Sequence, residues 1–297
     1  MHHHLLIAAL ALATPCALAQ PTVYKFVDAN GVTTYTDKPT KGAQVFVFND
    51  RMVEHLEQQV HLEQNKARGK VTFSARNDLY APVQVELRFS GLRNVAGAPN
   101  SLSRVVPARS TVTLAVLAAT DAAKPMGFKP RFDYFLGDPA SPTGGYRYAL
   151  PWVGGPFYIS QGANGQYSHT GPKSRYALDI AMPEGTPIVA ARAGVVVKVE
   201  NNQGGRGAEP GGNFVRILHG DGTMGVYLHL MRGSVVVHEG EQVEQGAALA
   251  RSGNTGNSTG PHLHFVVQRN TGLALESIPY QFDRPVSSLP NFAMGGR

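Results

Sequence analysis

The chain has 297 residues, of which 42% are hydrophobic and 16% are charged, with 33 glycines and 20 prolines. This composition is typical of a globular, turn-rich and mainly β protein, and it excludes an intrinsically disordered chain. The formal net charge is +6, but the lysines and arginines are scattered, so the sequence does not favour a nucleic-acid-binding protein. A mildly basic surface suits anionic polymers of the cell envelope, although ordinary solubility explains the same charge.

The N-terminus has the pattern of a signal peptide. Residues 5–12 form an apolar run, and Ala17-Leu18-Ala19 supplies the small-x-small motif of a cleavage site, although histidines at 2–4 replace the usual basic residues and also fit a cloning remnant. Removal of residues 1–19 leaves no cysteine, so a transition-metal site must use histidines and carboxylates. No later run reaches the ~18–20 apolar residues of a membrane span. We predict secretion across the inner membrane, to the periplasm or cell envelope.

Two β-rich modules are predicted next. Residues 20–48 form a small β-hairpin module, because two β-rich runs flank the turn signal Asp28-Ala29-Asn30-Gly31. Residues 49–138 alternate short strands with clusters of proline, glycine and asparagine, which favours a β-sandwich-like domain. Within it, residues 50–68 are ambiguous, and a helix followed by a strand fits their apolar spacing best.

The C-terminal half is predicted to be a separate β domain. Residues 139–155 are rich in proline and glycine and form a predicted linker. Residues 156–285 contain short strands separated by long glycine-rich loops, and residues 286–297 form a flexible tail. The predicted fold class is therefore mainly β throughout.

Histidines cluster in this C-terminal region. His262 and His264 are two apart in a strand-like run, so their side chains lie on one face, about 6.6 Å apart. His169 lies in a loop, and Asp179 alternates with apolar neighbours and can face a polar cleft. Two imidazoles and one carboxylate, with water in the fourth position, form a catalytic zinc site. A His-x-His pair alone also fits an exposed pair or a hydrogen-bonded core pair. We expect His219 to be structural and His238 to be exposed.

One segment resembles a known family closely. Residues 253–265, Gly-Asn-Thr-Gly-Asn-Ser-Thr-Gly-Pro-His-Leu-His-Phe, are similar to the signature of LytM/lysostaphin-type zinc metallopeptidases. Tyr227-Leu228-His229-Leu230 and Gly185-Thr186-Pro187-Ile188 resemble two further motifs of the family, in the family's order. The resemblance covers about residues 160–270. It implies that residues 156–285 form a lysostaphin-like antiparallel β-sheet metallopeptidase domain.

The resemblance also implies a set of site residues. One Zn²⁺ per chain would be held by His169, Asp179 and His264, and His229 and His262 would be the catalytic histidines. A zinc-activated water would attack the scissile carbonyl, while the two histidines move protons or stabilise the oxyanion. His169 departs from the usual His-x-x-x-Asp spacing, since it lies ten residues before Asp179. We keep His169 as a ligand because metal sites require convergence in space, and a longer spacing resembles one branch of the family.

The implied function is hydrolysis of peptide cross-links in bacterial peptidoglycan. Residues 23–39 resemble a small envelope module of Gram-negative exported proteins, which favours the bond between D-alanine and diaminopimelate over pentaglycine bridges. The alternative is a non-catalytic LytM-type regulator that activates cell-wall amidases, because some proteins of this fold lack the metal ligands. All five site residues are present here, which favours an enzyme. The expected partners are the peptide stems and cross-links of peptidoglycan, and the sequence predicts no oligomeric state.

Overall fold

The computed structural model describes residues 58–205 and 210–287 in full, together with the backbone of three N-terminal strands. No α-helix occurs in these residues, and thus none that could cross a membrane. The strands pair almost entirely in antiparallel sheets, which confirms the mainly β fold. The predicted signal peptide, most of the predicted tail and the first part of the ambiguous segment 50–68 lie outside the described residues. The chain divides into two compact units, Met1–Asn49 and Asp50–Arg297.

The first unit contains a three-stranded sheet. Strands β1 (Val23–Val27) and β2 (Thr33–Thr36) pair antiparallel, which confirms the predicted hairpin. A third strand, β3 (Gln44–Phe46), pairs with the other edge of β1 and was not predicted. A two-stranded hairpin is marginal in water, so a third strand is a common requirement for stability.

The second unit begins with two three-stranded antiparallel sheets that face each other. Their strand orders are β4-β5-β8 and β7-β6-β9. The inward-facing side chains of both sheets form one core, in which Phe73, Val85 and Leu117 are fully buried. The alternating burial along β5 shows why: every second side chain faces the opposing sheet. This arrangement is the predicted sandwich. The strands are β4 (Val60–Ala67), β5 (Lys70–Asn77), β6 (Val83–Arg93), β7 (Ser101–Val106), β8 (Ser110–Ala118) and β9 (Gly127–Leu136).

The C-terminal region is built on one large antiparallel sheet. Its order is β11-β12-β19-β16-β15-β14-β17, and β20 pairs with the free part of β19. A two-stranded sheet, β13 with β18, and a parallel pair, β10 with β21, lie beside it. The strands are β10 (Arg147–Tyr148), β11 (Tyr158–Gln161), β12 (Leu178–Ala181), β13 (Pro187–Val189), β14 (Gly194–Glu200), β15 (Asn213–Leu218), β16 (Met224–Leu230), β17 (Gln242–Val243), β18 (Ala248–Arg251), β19 (His262–Asn270), β20 (Leu275–Ser277) and β21 (Gln281–Phe282).

The large sheet buries its two faces differently. One face, with Tyr227 and Phe265, forms the main core, to which Tyr148 and Trp152 of the segment 139–155 also belong. On the other face, Met224 joins the core of the sandwich. The sandwich therefore covers the apolar end of this face. The domain boundaries derived from the sequence stay predictions.

Polar contacts fix the sandwich against the sheet. The backbone N–H of Leu273 donates to Gln84 Oε1 at 2.7 Å, and Asn270 Nδ2 donates to the carbonyl of Gly137 at 2.9 Å. Both side chains are buried, so each bond satisfies a group that water does not reach. The sandwich and the sheet therefore pack together as one unit, through the shared core and these hydrogen bonds.

His219 is buried at the turn that follows β15, as expected of a structural residue, and its Nδ1–H donates to the carbonyl of Ala193 at 2.9 Å. Burial lowers the pKa of His219 to about 4 from 6.5. The unfolded chain therefore binds this proton more tightly than the folded chain does. His219 contributes stability that is fully present above pH ~6.5 and is lost as the pH falls toward about 4.

We expect His219→Asn to weaken the dependence of stability on pH. Asparagine keeps a donor for Ala193 but does not titrate, so the fall in unfolding free energy between neutral pH and about pH 4 should shrink by about 3 kcal/mol. Urea unfolding at both pH values measures this. His238→Asn is the matched control, because the His238 side chain is exposed. An equal fall in wild type and His219→Asn would contradict the prediction.

Candidate metal centre

The large sheet aligns polar side chains in one row across its strands. Asp179 on β12 lies directly opposite His264 on β19, and on its other side Asp179 lies opposite Gln161 on β11. His262 lies opposite Ala181, one row further along. Residues opposite each other in an antiparallel pair share a face, so these side chains project to the same side of the sheet.

Three candidate ligand atoms converge at Asp179. Asp179 Oδ1 lies 2.8 Å from His264 Nδ1 and 3.2 Å from His169 Nε2. The candidate ligand atoms of the three residues all lie within 4.8 Å of one another, and all three residues are buried. The structure therefore brings together the three residues that the resemblance implied as metal ligands.

The ring of His169 is oriented by the backbone. His169 Nδ1 lies 2.8 Å from the carbonyl of Gly162, which can only accept, so Nδ1 carries a hydrogen. In the neutral imidazole, Nε2 then presents a lone pair to the Asp179 carboxylate. A proton or a metal ion must lie between these two acceptor atoms to make the contact attractive. The donor set fits a divalent cation such as zinc, which is bound by imidazole nitrogen and carboxylate oxygen.

The long spacing between His169 and Asp179 is accommodated by a docked loop. The carbonyl of Pro172 accepts hydrogen bonds at 2.8 Å from both the backbone N–H and the hydroxyl of Ser277 on β20. The carbonyl of Lys173 accepts a bond at 2.7 Å from Gln268 Nε2 on β19. The extra residues therefore pack against the β19–β20 hairpin, while His169 still reaches Asp179.

The electrostatics of the three residues suit a cation. Burial acts to raise the pKa of Asp179, but hydrogen bonds and positive charge from the rings of His169 and His264, when these carry a proton, hold it well below its usual value. Burial lowers the pKa of His264. An ionised carboxylate and neutral imidazoles are the protonation states in which such side chains bind metal ions in proteins.

An irregularity in β16 turns the side chain of His229 toward this cluster. One extra residue interrupts the pairing of β16 with β15 near His229, whose φ of 61° lies in the left-handed region. Its ring lies 4.8 Å from the ring of His262 and 5.8 Å from that of His264, between centroids. Because β-bulges change the direction of a side chain, His229 reaches the face of the sheet that holds His264.

Backbone carbonyls fix the tautomers of both remaining histidines. His229 Nδ1 donates to the carbonyl of Thr255 at 2.8 Å, and His262 Nδ1 donates to that of Gly260 at 2.7 Å. Burial lowers the pKa of His229 to about 3, with smaller contributions from His262 and His264, so the ring is neutral with a lone pair at Nε2. His262 Nε2 lies 3.6 Å from Asp179 Oδ1. All five predicted site residues thus lie in one cluster.

The support for His229 extends to buried neighbours that the sequence analysis did not single out. The hydroxyl of Thr255 donates to the carbonyl of Leu230 at 2.7 Å and accepts the backbone N–H of Asn213 at 3.0 Å. A Cβ atom on Gly212, whose φ is +58°, would come within 2.5 Å of the Thr255 backbone. Thr255 lies in the segment 253–265, so the signature itself was the signal for its role.

Comparison with known proteins identifies the domain. Residues 173–275 match the model of peptidase family M23, and residues 8–59 match a domain of unknown function, DUF4124. The M23 match contains Asp179, His229, His262 and His264 but begins after His169, so the contacts described above are the support for His169.

Named relatives are similar to about a third of this chain. The peptidoglycan DD-endopeptidase ShyA of Vibrio cholerae is 44% identical over 87 residues, which are 29% of this chain and 18% of that protein. Lysostaphin of Staphylococcus staphylolyticus is 38% identical over 92 residues, which are 30% of this chain and 18% of that protein. The chain thus spans under a fifth of the length of these relatives. The solved catalytic domain of the M23 protein EnpA from Enterococcus faecalis is 26% identical, with 44% of this chain and 94% of that chain covered and a TM-score of 0.35. The chain therefore carries a peptidase family M23 domain of the LytM/lysostaphin type.

Proposed function

We propose that the protein is a zinc-dependent endopeptidase of the bacterial cell envelope that hydrolyses peptide cross-links of peptidoglycan. The observation that carries the proposal is the convergence of His169, Asp179 and His264 within 4.8 Å, next to two further imidazoles with fixed tautomers. Relatives named as peptidoglycan endopeptidases support the substrate class. The resemblance of residues 23–39 to an envelope module of Gram-negative exported proteins favours the bond between D-alanine and diaminopimelate.

The chain offers three ligands for one metal ion. His169 Nε2, Asp179 Oδ1 and His264 Nδ1 would hold one Zn²⁺. When bound, the ion would activate a water molecule and polarise the scissile carbonyl. Three protein ligands with one open position are the composition of a catalytic zinc site, whereas structural zinc sites have four.

We assign proton transfer during hydrolysis to His229 and His262. His229 is neutral, and its Nδ1–H is held by Thr255, so Nε2 can accept a proton from the attacking water. The same proton can then pass to the amine nitrogen of the departing peptide, which completes hydrolysis without a change in net protonation. His262, with its Nδ1–H held by Gly260, presents Nε2 to the same space. Once Nε2 has taken up a proton, it can donate to the oxyanion or to the leaving amine.

We expect Gly212→Ala to lower turnover without removing zinc. The added methyl would displace Thr255 and with it the carbonyl that holds His229, and a displacement of ~1 Å costs about 10²-fold in rate. Gly233→Ala is the matched control, because Gly233 also has a positive φ, of +71°, but has no atom within 4 Å of an added Cβ. Similar kcat values for the two variants would count against the positioning role of Thr255.

The alternative is a regulator that binds cell-wall amidases without catalysis. The two functions differ in a measurable property, since a regulator needs no stoichiometric metal. The presence of all five histidine and aspartate residues favours the enzyme. Zinc content of the purified full chain, measured by elemental analysis, is expected to be about one ion per chain.

The decisive experiment uses mass spectrometry on purified cross-linked muropeptides incubated with the zinc-loaded full chain. We expect dimers to be converted to monomers with uptake of one water molecule per bond. The masses also report which bond is cut. A chelator should abolish the reaction and added zinc should restore it. Intact dimers after incubation with protein that holds stoichiometric zinc would overturn the endopeptidase proposal.

A further inference from the structure

A buried glutamine, Gln161, contacts both the carboxylate of the metal centre and the loop that carries His169. Its Nε2 donates to Asp179 Oδ2 at 2.7 Å and to the hydroxyl of Ser168 at 2.9 Å. Its Oε1 accepts the backbone N–H of Tyr167 at 3.1 Å. Because Asp179 can only accept and the Tyr167 N–H can only donate, these partners fix the orientation of the amide.

Gln161 reaches Asp179 through a bulge in β11. Tyr158 pairs with Ala181 and Ile159 with Ile180, but Gln161 rather than Ser160 then pairs with Asp179. In a regular ladder Ser160 would occupy this position and Gln161 would lie on the other face. The extra residue therefore places a longer donor next to the carboxylate, as bulges beside functional sites commonly do.

The loop packs tightly on the same side chain. A Cβ on Gly165 would lie 2.3 Å from Gln161 Cγ, so the turn fits only because residue 165 is glycine. The carbonyl of Gly165 accepts the backbone N–H of His169 at 3.0 Å. Gln161 thus contacts the turn that sets the position of His169, as well as Asp179.

We infer that Gln161 is a positioning residue for the metal centre, and this inference rests on the proposed function. Its amide occupies Asp179 Oδ2, so that Oδ1 faces His169 and His264, and it holds the 162–169 loop so that Nε2 of His169 faces the same point. A neutral donor leaves the negative charge of Asp179 available to the cation, whereas lysine or arginine at this position would neutralise it. Partners of metal ligands typically contribute 10- to 100-fold to metal affinity.

The test compares zinc affinity of the full chain in wild type and variants. Gln161→Met keeps the length of the side chain but removes both hydrogen-bonding groups, and Gln161→Glu keeps the acceptor for Tyr167 while placing a carboxylate against Asp179. Gln84→Met is the matched control, since Gln84 is a similarly buried glutamine in the sandwich. Competition with a chromogenic chelator gives the zinc Kd, and the absorption spectrum of Co²⁺ bound in place of zinc reports the ligand geometry.

We expect both Gln161 variants to bind zinc about 10- to 100-fold more weakly and to alter the Co²⁺ spectrum, while Gln84→Met binds like wild type. Wild-type affinity in either folded Gln161 variant, or an equal loss in Gln84→Met, would overturn the inference. The glutamate variant decides the question if the methionine variant does not fold. Failure of wild-type protein to bind zinc at all would instead refute the proposed function, so the two failures are distinguishable.

Discussion

His264→Ala is expected to abolish both zinc binding and cleavage of cross-linked muropeptides. The variant removes one of the three proposed ligands, whose Nδ1 lies 2.8 Å from Asp179 Oδ1. Loss of the ion removes several kcal/mol of charge stabilisation, which corresponds to about 10³-fold or more in rate. Zinc content and initial rates of muropeptide cleavage measure the two effects.

The control for this variant is His238→Ala, which removes an exposed histidine of the same domain. It should keep wild-type zinc content and activity. The residual rate of His264→Ala should equal that of chelator-treated wild type, because both proteins lack the ion. Stoichiometric zinc together with undiminished cleavage in His264→Ala would exclude the proposed ligand set.

His229→Ala is expected to keep zinc but to lose about 10²- to 10⁴-fold in kcat, the usual contribution of a general base. His229 is not among the three proposed ligands, and its neutral ring offers an acceptor nitrogen beside them. KM should change little, because the imidazole acts on the reacting water. Steady-state kinetics on a purified muropeptide dimer, together with zinc content, separate these effects.

A second variant, His229→Asn, tests the same role of His229 in a protein that we expect to fold normally. Asparagine tolerates the left-handed backbone found at residue 229, where φ is 61°, and its amide can donate to the carbonyl of Thr255 as Nδ1 does. It lacks the lone pair at the position of Nε2. We therefore expect a stable, zinc-loaded and nearly inactive protein, and wild-type kcat in His229→Asn would rule out the base role.

Simple strand alternation predicted part of the candidate site. His262 and His264 share a face because they are two apart on β19, and Asp179 lies on the face opposite to the core residue Ile180. The sandwich and the hairpin also followed from runs of β-forming residues between turn signals. These features depend on local periodicity, which the sequence contains directly.

Other features depend on departures from periodicity. Alternation along β16 would put His229 on the same face as the core residue Tyr227, and only the bulge and the left-handed backbone turn it toward His262. The contact of Gln161 with Asp179 depends on a similar bulge in β11. A buried glutamine that ends a strand has no pattern that separates it from an exposed one, so its role required the structure. His169 was identified by resemblance, and only tertiary contacts explain its spacing.

The apolar end of the large sheet, where Val197, Met224 and Leu275 share a core with the sandwich, has a consequence for how the protein acts on a polymer. This shared core packs the sandwich and the sheet directly against each other. Any polymer segment that the sandwich touches would lie at a fixed distance and angle from the candidate metal centre, so the proposed endopeptidase would select cross-links by their geometry within the wall as well as by their chemistry. Expression of residues 139–297 alone would uncover this apolar patch and favour aggregation.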